Sequence, residues 1–118
     1  MATRSNIGIK VGDIYQYIYC HWDGYPSHNG AILLNHYNTP EKVAELISCG
    51  EMSVLAPTMK DCVFYHRDRG ETFTPPMTTT NRDGTLEQEW SYIFEDGKWM
   101  FSSAYKPLWK ELTRLDCF

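Results

Sequence analysis

The stretch Glu89–Ser102, EWSYIFEDGKWMFS, carries the clearest strand pattern in this chain of 118 residues. Large apolar residues fall at alternate positions on both sides of the tight-turn sequence Glu95-Asp96-Gly97. Alternation of this kind is typical of β-strands with one buried face, and the Asp-Gly pair is a common hairpin turn. The sequence therefore predicts a β-hairpin with Trp90, Tyr92, Phe94, Trp99 and Phe101 on its inner face.

A second hairpin is predicted at the N-terminus. Ile7–Val11 alternates apolar and small residues, Gly12-Asp13 is a two-residue turn signal, and Ile14–Trp22 continues at strand-like density. Farther along the chain, Asp61–His66 reads as an interior strand. Glu71–Thr85, with two prolines and an Asp-Gly pair, reads as a long loop.

Three segments have helical patterns. Ala31–Tyr37 carries apolar residues at helical spacing, and the next helix has Thr39 as N-cap, Pro40 at its first position and Gly50 as its stop signal. Pro107–Leu115 reads as a short amphipathic helix with leucines on one face. The order ββααβββα predicts an α+β fold. We expect an antiparallel sheet of about five strands with two or three helices packed on one face, in a single globular domain spanning residues 1–118.

Composition excludes several classes of protein. The chain is 42% hydrophobic, 22% charged and has a net charge of −4, so binding to duplex DNA through a basic face is not expected. No apolar run approaches the ~20 residues needed to cross a bilayer, and Met1–Ile9 lacks the apolar core of a signal peptide. The four cysteines form no CxxC pair, which indicates reduced and mostly buried thiols.

The block Tyr19–Pro26, YCHWDGYP, places chemically active residues where the chain should turn. His21 and Asp23 lie two residues apart and would share one side of a continuing strand. Trp22 and Tyr25 offer flat rings that can stack on a planar ligand. The alternative is structural: His21 and Asp23 hydrogen-bond within the turn while the two rings cover the edge of the core.

A second block, Tyr65–Glu71, YHRDRGE, would place His66 and Asp68 on one side of a strand and Arg67 and Arg69 on the other. Paired arginines suit bidentate contact with phosphate or carboxylate. The alternative is an ordinary surface lattice of ion pairs with the neighbouring carboxylates. If the two blocks meet, they predict a ligand pocket made by His21, Trp22, Asp23, Tyr25, His66, Arg67 and Arg69.

Catalytic and metal chemistry have weaker support. His21, Asp23, His36, His66 and Asp68 carry suitable donors for a metal, but they have no HExxH or comparable fixed spacing. We therefore expect no metal, no cofactor and no dedicated catalytic residue. A small hydrolase that uses His21, Asp23 and His66 remains an open alternative.

The two blocks, together with Thr3–Ile7 (TRSNI), Leu33–Tyr37 (LLNHY) and Glu41–Gly50, resemble a family of small phage and prophage proteins. The resemblance covers most of the chain. It implies an accessory, counter-defence role in the cytoplasm of an infected bacterium, and it supplies no catalytic residue.

Combined with the residues, this resemblance predicts a protein that captures a small anionic, nucleotide-like ligand, and it allows a homo-oligomer. In this reading Trp22 and Tyr25 stack on a base, Arg67 and Arg69 hold phosphate, and His21 and Asp23 recognise the ribose or the base edges. The alternative partner is a host defence protein that is blocked by direct surface contact.

Overall fold

The computed structural model describes residues 2–118, and these residues form eight strands and three α-helices. The strands are β1 (Ser5–Val11), β2 (Ile14–Cys20), β3 (Met52–Val54), β4 (Val63–Phe64), β5 (Met77–Thr79), β6 (Trp90–Glu95), β7 (Lys98–Ser103) and β8 (Lys106–Glu111). The helices are α1 (Ala31–His36), α2 (Pro40–Ser48) and α3 (Tyr65–Arg69). Pro26–Gly30 adds a π-helical turn, and Arg82–Thr85 and Arg114–Cys117 add 3₁₀ turns.

The strands form one mixed sheet in the order β4-β3-β2-β1-β6-β7-β8, and β5 pairs with the first half of β2. Both predicted hairpins are present, because β1 pairs with β2 and β6 with β7 in antiparallel register. The α+β class is confirmed. The expected number of about five strands is wrong, and so is a purely antiparallel sheet, because β1 pairs with β6 and β2 with β3 in parallel.

The missing strands have a simple physical explanation. β3, β4 and β5 contain three, two and three residues, which is too short for a period of two to be visible in sequence. Their positions are set by pairing with β2 and with each other rather than by a local pattern.

One face of the sheet packs on α1 and α2 and contains the main apolar core. Ile7 pairs with Ile18 on this face, and Val43, Leu46 and Ile47 cover it from α2. Helix α2 begins as predicted, because the Thr39 side chain accepts a hydrogen bond from the Lys42 N–H at 3.2 Å and Pro40 occupies the first turn. Helix α3 buries no residue.

The opposite face is covered by the segment that sequence predicted as a long loop. That segment contains β5 and the 3₁₀ turn Arg82–Thr85. Buried Asn6 donates to the Thr85 carbonyl at 2.8 Å, and the Thr85 and Ser91 hydroxyls lie 2.6 Å apart. Polar contacts therefore hold this cover in place.

Two predicted elements near the ends of the chain are corrected. Lys106–Glu111 is a strand, not part of a helix over Pro107–Leu115. Of the three leucines expected on the inner face of that helix, Leu108, Leu112 and Leu115, only Leu112 is buried. Pairing with the open edge of β7 outweighs the helical spacing of those leucines. The predicted strand Asp61–His66 is reduced to β4, and α3 begins at Tyr65. Within residues 2–118, no helix is both long and apolar enough to cross a membrane.

Candidate functional site

The backbone of the YCHWDGYP block forms a turn that is fixed from inside the protein. Asp23 adopts a positive φ of 56°. The Gly24 N–H donates to the Thr3 carbonyl at 2.7 Å, and the Tyr92 hydroxyl donates to the Gly24 carbonyl at 2.6 Å. Burial raises the pKa of Tyr92, so this hydroxyl stays protonated. The turn is therefore part of the core structure.

Asn29 is a buried anchor that the sequence analysis missed. Its side-chain Nδ2 lies 3.3 Å from the Ser5 hydroxyl and 3.3 Å from the Trp22 carbonyl. It also lies 3.5 Å from the Cys20 sulfur. An asparagine that lies 7, 9 and 24 residues from its partners gives no periodic signal, and only its proximity to a turn block could have drawn attention to it.

The side chains of the first block form two contacting pairs. In the first pair, the hydroxyl of Tyr25, which is 38% exposed, lies 3.4 Å from Asp23 Oδ1. In the second pair, the His21 ring meets edge-on, at 4.8 Å, the ring of Trp22, which is 41% exposed; His21 Nδ1 also lies 2.6 Å from the Tyr19 hydroxyl. Asp23 thus serves the turn, whereas His21 and Trp22 share a partly open surface.

Arg67 makes structural contacts within and next to the second block. Its Nη2 donates to the Cys62 carbonyl at 2.7 Å and lies 2.9 Å from Asp68 Oδ2. Its guanidinium also lies over the Phe64 ring, 4.7 Å from the centroid. Hydrogen bonds from Arg67 and from the Phe64 N–H lower the pKa of Asp68. The ion-pair alternative from the sequence analysis therefore describes Arg67.

His66 and Arg69 lie on the same short helix but differ in their contacts. His66 Nδ1 lies 2.8 Å from the Glu71 carbonyl oxygen, and its ring packs against Phe73. Arg69 is half exposed, lies 3.3 Å from Glu71 Oε2, and covers the Tyr65 ring at 5.1 Å. The prediction that His66 and Asp68 alternate with the arginines along a strand is wrong, because these residues are helical.

The two blocks are joined through β3. The His21 N–H donates to the Met52 carbonyl at 3.1 Å, and the Tyr65 N–H donates to the Glu51 carbonyl at 3.2 Å. Two strand spacings of ~4.8 Å therefore separate them across the sheet. Burial raises the pKa of Tyr65, while a hydrogen bond with the Ser53 side chain opposes that rise and the nearby Tyr19 adds to it.

One face of this corner therefore gathers two arginines, a histidine and three hydroxyl groups. We call it the Arg4–Arg69 patch, and its members are Arg4, Tyr19, His21, Ser53, Tyr65 and Arg69. Only His21 and Arg69 were predicted as site residues. The others emerge from the pairing of β2, β3 and β4.

A chain of hydrogen bonds links three residues of this patch. Arg4 Nε donates to the Tyr19 oxygen at 3.1 Å, because an arginine can only donate. The same oxygen lies 2.6 Å from His21 Nδ1, and either of these two groups can be the donor.

The arrangement does not assemble the alternative chemistries. Within residues 2–118, no three His, Cys, Asp or Glu side chains are grouped so that they could hold a metal ion. His21 bonds to Tyr19, Asp23 to Tyr25 and His66 to Glu71, so each proposed hydrolase residue has a different partner. Burial raises the pKa of the Cys20 thiol to about 12, which opposes a role as nucleophile.

Two open grooves lie outside the predicted site. One, of about 560 Å³, lies beside β8, and the other, of about 410 Å³, lies beside α2 and includes His36. Neither groove is lined by any of the seven predicted site residues or by any residue of the Arg4–Arg69 patch.

Comparisons of the chain with protein-family models, with curated proteins and with solved structures find no match.

Proposed function

We propose that this protein binds a small anionic, nucleotide-like ligand at the Arg4–Arg69 patch. The observation that carries the proposal is the arginine–tyrosine–histidine chain from Arg4 through Tyr19 to His21, on the sheet face that also carries Tyr65, whose ring is covered by the half-exposed Arg69. Arginines recognise phosphate by paired N–H donors, and an imidazole such as that of His21 can supply a further N–H donor. Concentration of these donors in a chain of net charge −4 favours an anionic ligand over a cationic one.

Trp22 supports a planar group next to this anion site. Its ring is 41% exposed and meets the His21 ring at 4.8 Å. Base–aromatic stacking contributes about 1–3 kcal/mol per base in proteins that bind single-stranded nucleic acid. The proposal therefore assigns the base to Trp22 and the phosphate to Arg4 and Arg69.

The proposal gives Arg67 and His66 no ligand contact. Arg67 is engaged by Cys62 and Asp68, and His66 by Glu71. Asp23 and Tyr25 contact each other beside the patch and are left as bordering residues.

The resemblance to small phage proteins supplies the biological context of the proposal. We place the protein in the cytoplasm of an infected bacterium, where it would sequester a nucleotide-derived signal of host defence. Sequestration requires no turnover, which agrees with the different partners of His21, Asp23 and His66.

The test starts with native mass spectrometry of protein isolated from phage-infected cells, followed by calorimetric titration with the released compound or with a nucleotide panel. We expect Arg4→Ala and Arg69→Ala each to weaken binding by about tenfold, since a hydrogen bond to a charged group contributes about 1.5 kcal/mol or more. Arg114→Ala is the matched control, because Arg114 is exposed and lies outside the patch. Full affinity in both patch variants would show that the ligand binds elsewhere.

A second candidate function is inhibition of a host defence protein by direct contact. The segment 105–118 exposes four large apolar side chains, with Tyr105 83%, Leu108 68%, Leu115 82% and Phe118 88% accessible. Exposed apolar groups of this size are typical of interaction surfaces. This candidate predicts a host protein that co-purifies at fixed stoichiometry and is lost on Leu115→Ser together with Phe118→Ser, while Arg4→Ala retains it.

A further inference from the structure

The groove beside β8 has the form of a second ligand site. Its volume of about 560 Å³ falls within the range of ~300–1,000 Å³ typical of small-molecule sites. It lies between the π-helical turn at Pro26, strands β6 and β7, β8, and the 3₁₀ turn at Asp116. Trp90 pairs with Ser5 of β1, and both side chains lie on the core face of the sheet, whereas the Arg4–Arg69 patch lies on the other face. The two sites are therefore separate.

The floor of the groove is aromatic. The Trp90 and Phe101 rings lie 6.2 Å apart with 23° between their planes, and Phe101, which is only 6% exposed, is nearly parallel to Tyr92. Leu108, which is 68% exposed, forms an apolar wall. A flat apolar molecule would cover the accessible parts of Trp90 and Leu108 and remove them from water.

The rim of the groove carries two lysines that differ in their contacts. Lys110 Nζ is held 2.8 Å from Asp116 Oδ1 and lies over the Phe101 ring. Lys106, by contrast, has no ion-pair partner among residues 2–118. One positive charge at the rim is therefore uncompensated, above a floor of aromatic carbon.

We propose that this groove binds a small molecule with a flat apolar body and one negative charge, such as an aromatic carboxylate. The body packs on Trp90 and Phe101 beside Leu108, and the carboxylate pairs with Lys106. The same geometry disfavours a cationic ligand, because the only carboxylate that lines the groove, Asp116, is already paired with Lys110.

The test is a titration of the full chain with 1-naphthoate and, separately, with the neutral 1-naphthylmethanol, followed by ¹H–¹⁵N spectra. The indole resonance of Trp90 is assigned with Trp90→Phe. We expect 1-naphthoate to saturate with a Kd of about 1 mM or tighter, and to shift Trp90 and residues of β7 and β8.

Lys106→Ala should weaken the binding of 1-naphthoate by about threefold to tenfold and leave the binding of 1-naphthylmethanol unchanged. Leu108→Ser should weaken the binding of both compounds. The matched control is Lys60→Ala, an exposed lysine outside the groove, which should bind 1-naphthoate as the unmodified chain does. Equal affinity for both compounds, no effect of Lys106→Ala, or shifts confined to other residues would overturn the proposal.

Discussion

Gly24 illustrates how individual residues of the YCHWDGYP block are constrained by packing. A Cβ atom built on Gly24 would lie 2.8 Å from the Thr3 carbonyl oxygen and 2.8 Å from the Ser5 Cβ. Both neighbours belong to the chain entering β1, and Tyr92 holds the Gly24 carbonyl from the other side. The residue types of this block predict a ligand surface. Its Asp23-Gly24 backbone is a structural turn, and its exposed side chains are what remain available for binding.

Replacement of Gly24 by alanine should therefore destabilise the protein. We expect a loss of about 1–3 kcal/mol in the free energy of unfolding, because the new methyl group meets backbone atoms that cannot move freely. Urea unfolding followed by circular dichroism measures this loss. Gly30→Ala is the control, since its added Cβ would lie no closer than 3.4 Å to its neighbours. Equal stability of the two variants would contradict this account of the turn.

At the scale of elements, the C-terminal strand shows how an exposed sheet edge is protected. β8 ends the strand order, and its sequence KPLWKE places Pro107 and two lysines along that edge. Proline removes a backbone donor and lysines disfavour pairing with another strand. The following 3₁₀ turn is closed by a capping box in which Asp116 Oδ2 accepts from the Thr113 N–H at 2.9 Å. Asp116 thus ties the end of the chain to Lys110 of β8.

Stability in acid should depend on Asp116. The hydrogen bond from Lys110, with further bonds from Thr113, lowers the pKa of Asp116 below its ordinary value of 3.8. The folded state therefore favours the ionised carboxylate. Its stabilising contribution is present above pH ~4 and is lost as pH falls through the lowered pKa.

Asp116→Asn should give a melting temperature that falls less steeply with acidification below pH ~4 than that of the unmodified chain. Differential scanning calorimetry between pH 2.5 and 6 measures the slopes. Asp13→Asn is the control, because Asp13 lies exposed in the turn between β1 and β2. An unchanged slope in Asp116→Asn would show that the Lys110 contact contributes nothing in solution.

Elements with several periods of pattern could be predicted from the sequence, and shorter ones could not. The hairpins β1–β2 and β6–β7 and helix α2 follow from alternation, turn residues and the Thr39 cap. The leucine spacing near the C-terminus predicts a helix, but the unpaired edge of β7 makes Lys106–Glu111 a strand. Tertiary pairing decides such ambiguous segments, and a single sequence does not show it.

At the scale of the whole molecule, parallel pairing explains why the candidate site was predicted only in part. Parallel pairing of β2 with β3 and antiparallel pairing of β3 with β4 bring Tyr19, Ser53 and Tyr65 to one corner. Tyr19 lies more than thirty positions before Ser53, and Ser53 more than ten before Tyr65; neither Ser53 nor Arg4 stands in either of the two blocks. Tyr19 and Tyr65 begin those blocks, but only His21 and Arg69 among the patch residues were predicted to contact a ligand.

The segment that covers the second face of the sheet is also held by long-range contacts, and one of them is a hydrogen bond from Tyr17. The Tyr17 hydroxyl donates to the Glu87 carboxylate, next to the buried contact of Asn6 with Thr85. Burial, together with the hydrogen bond to Glu87 and the charge of that carboxylate, raises the pKa of Tyr17 to about 12. The folded state therefore favours the protonated hydroxyl. Its contribution is complete below the ordinary pKa of 10.0 and is lost as pH rises toward 12.

Tyr17→Phe should loosen this cover without unfolding the sheet. We expect a loss of about 1–2 kcal/mol in the free energy of unfolding at pH 7, since a hydrogen bond to a carboxylate is removed, and a shallower decline of stability between pH 10 and 12. Hydrogen exchange should accelerate at the amides of residues 84–87, because only that segment loses its tie to the sheet. Tyr105→Phe is the matched control, because Tyr105 is 83% exposed. Unchanged exchange at residues 84–87 in Tyr17→Phe would show that the Asn6 and Thr85 contacts hold the cover by themselves.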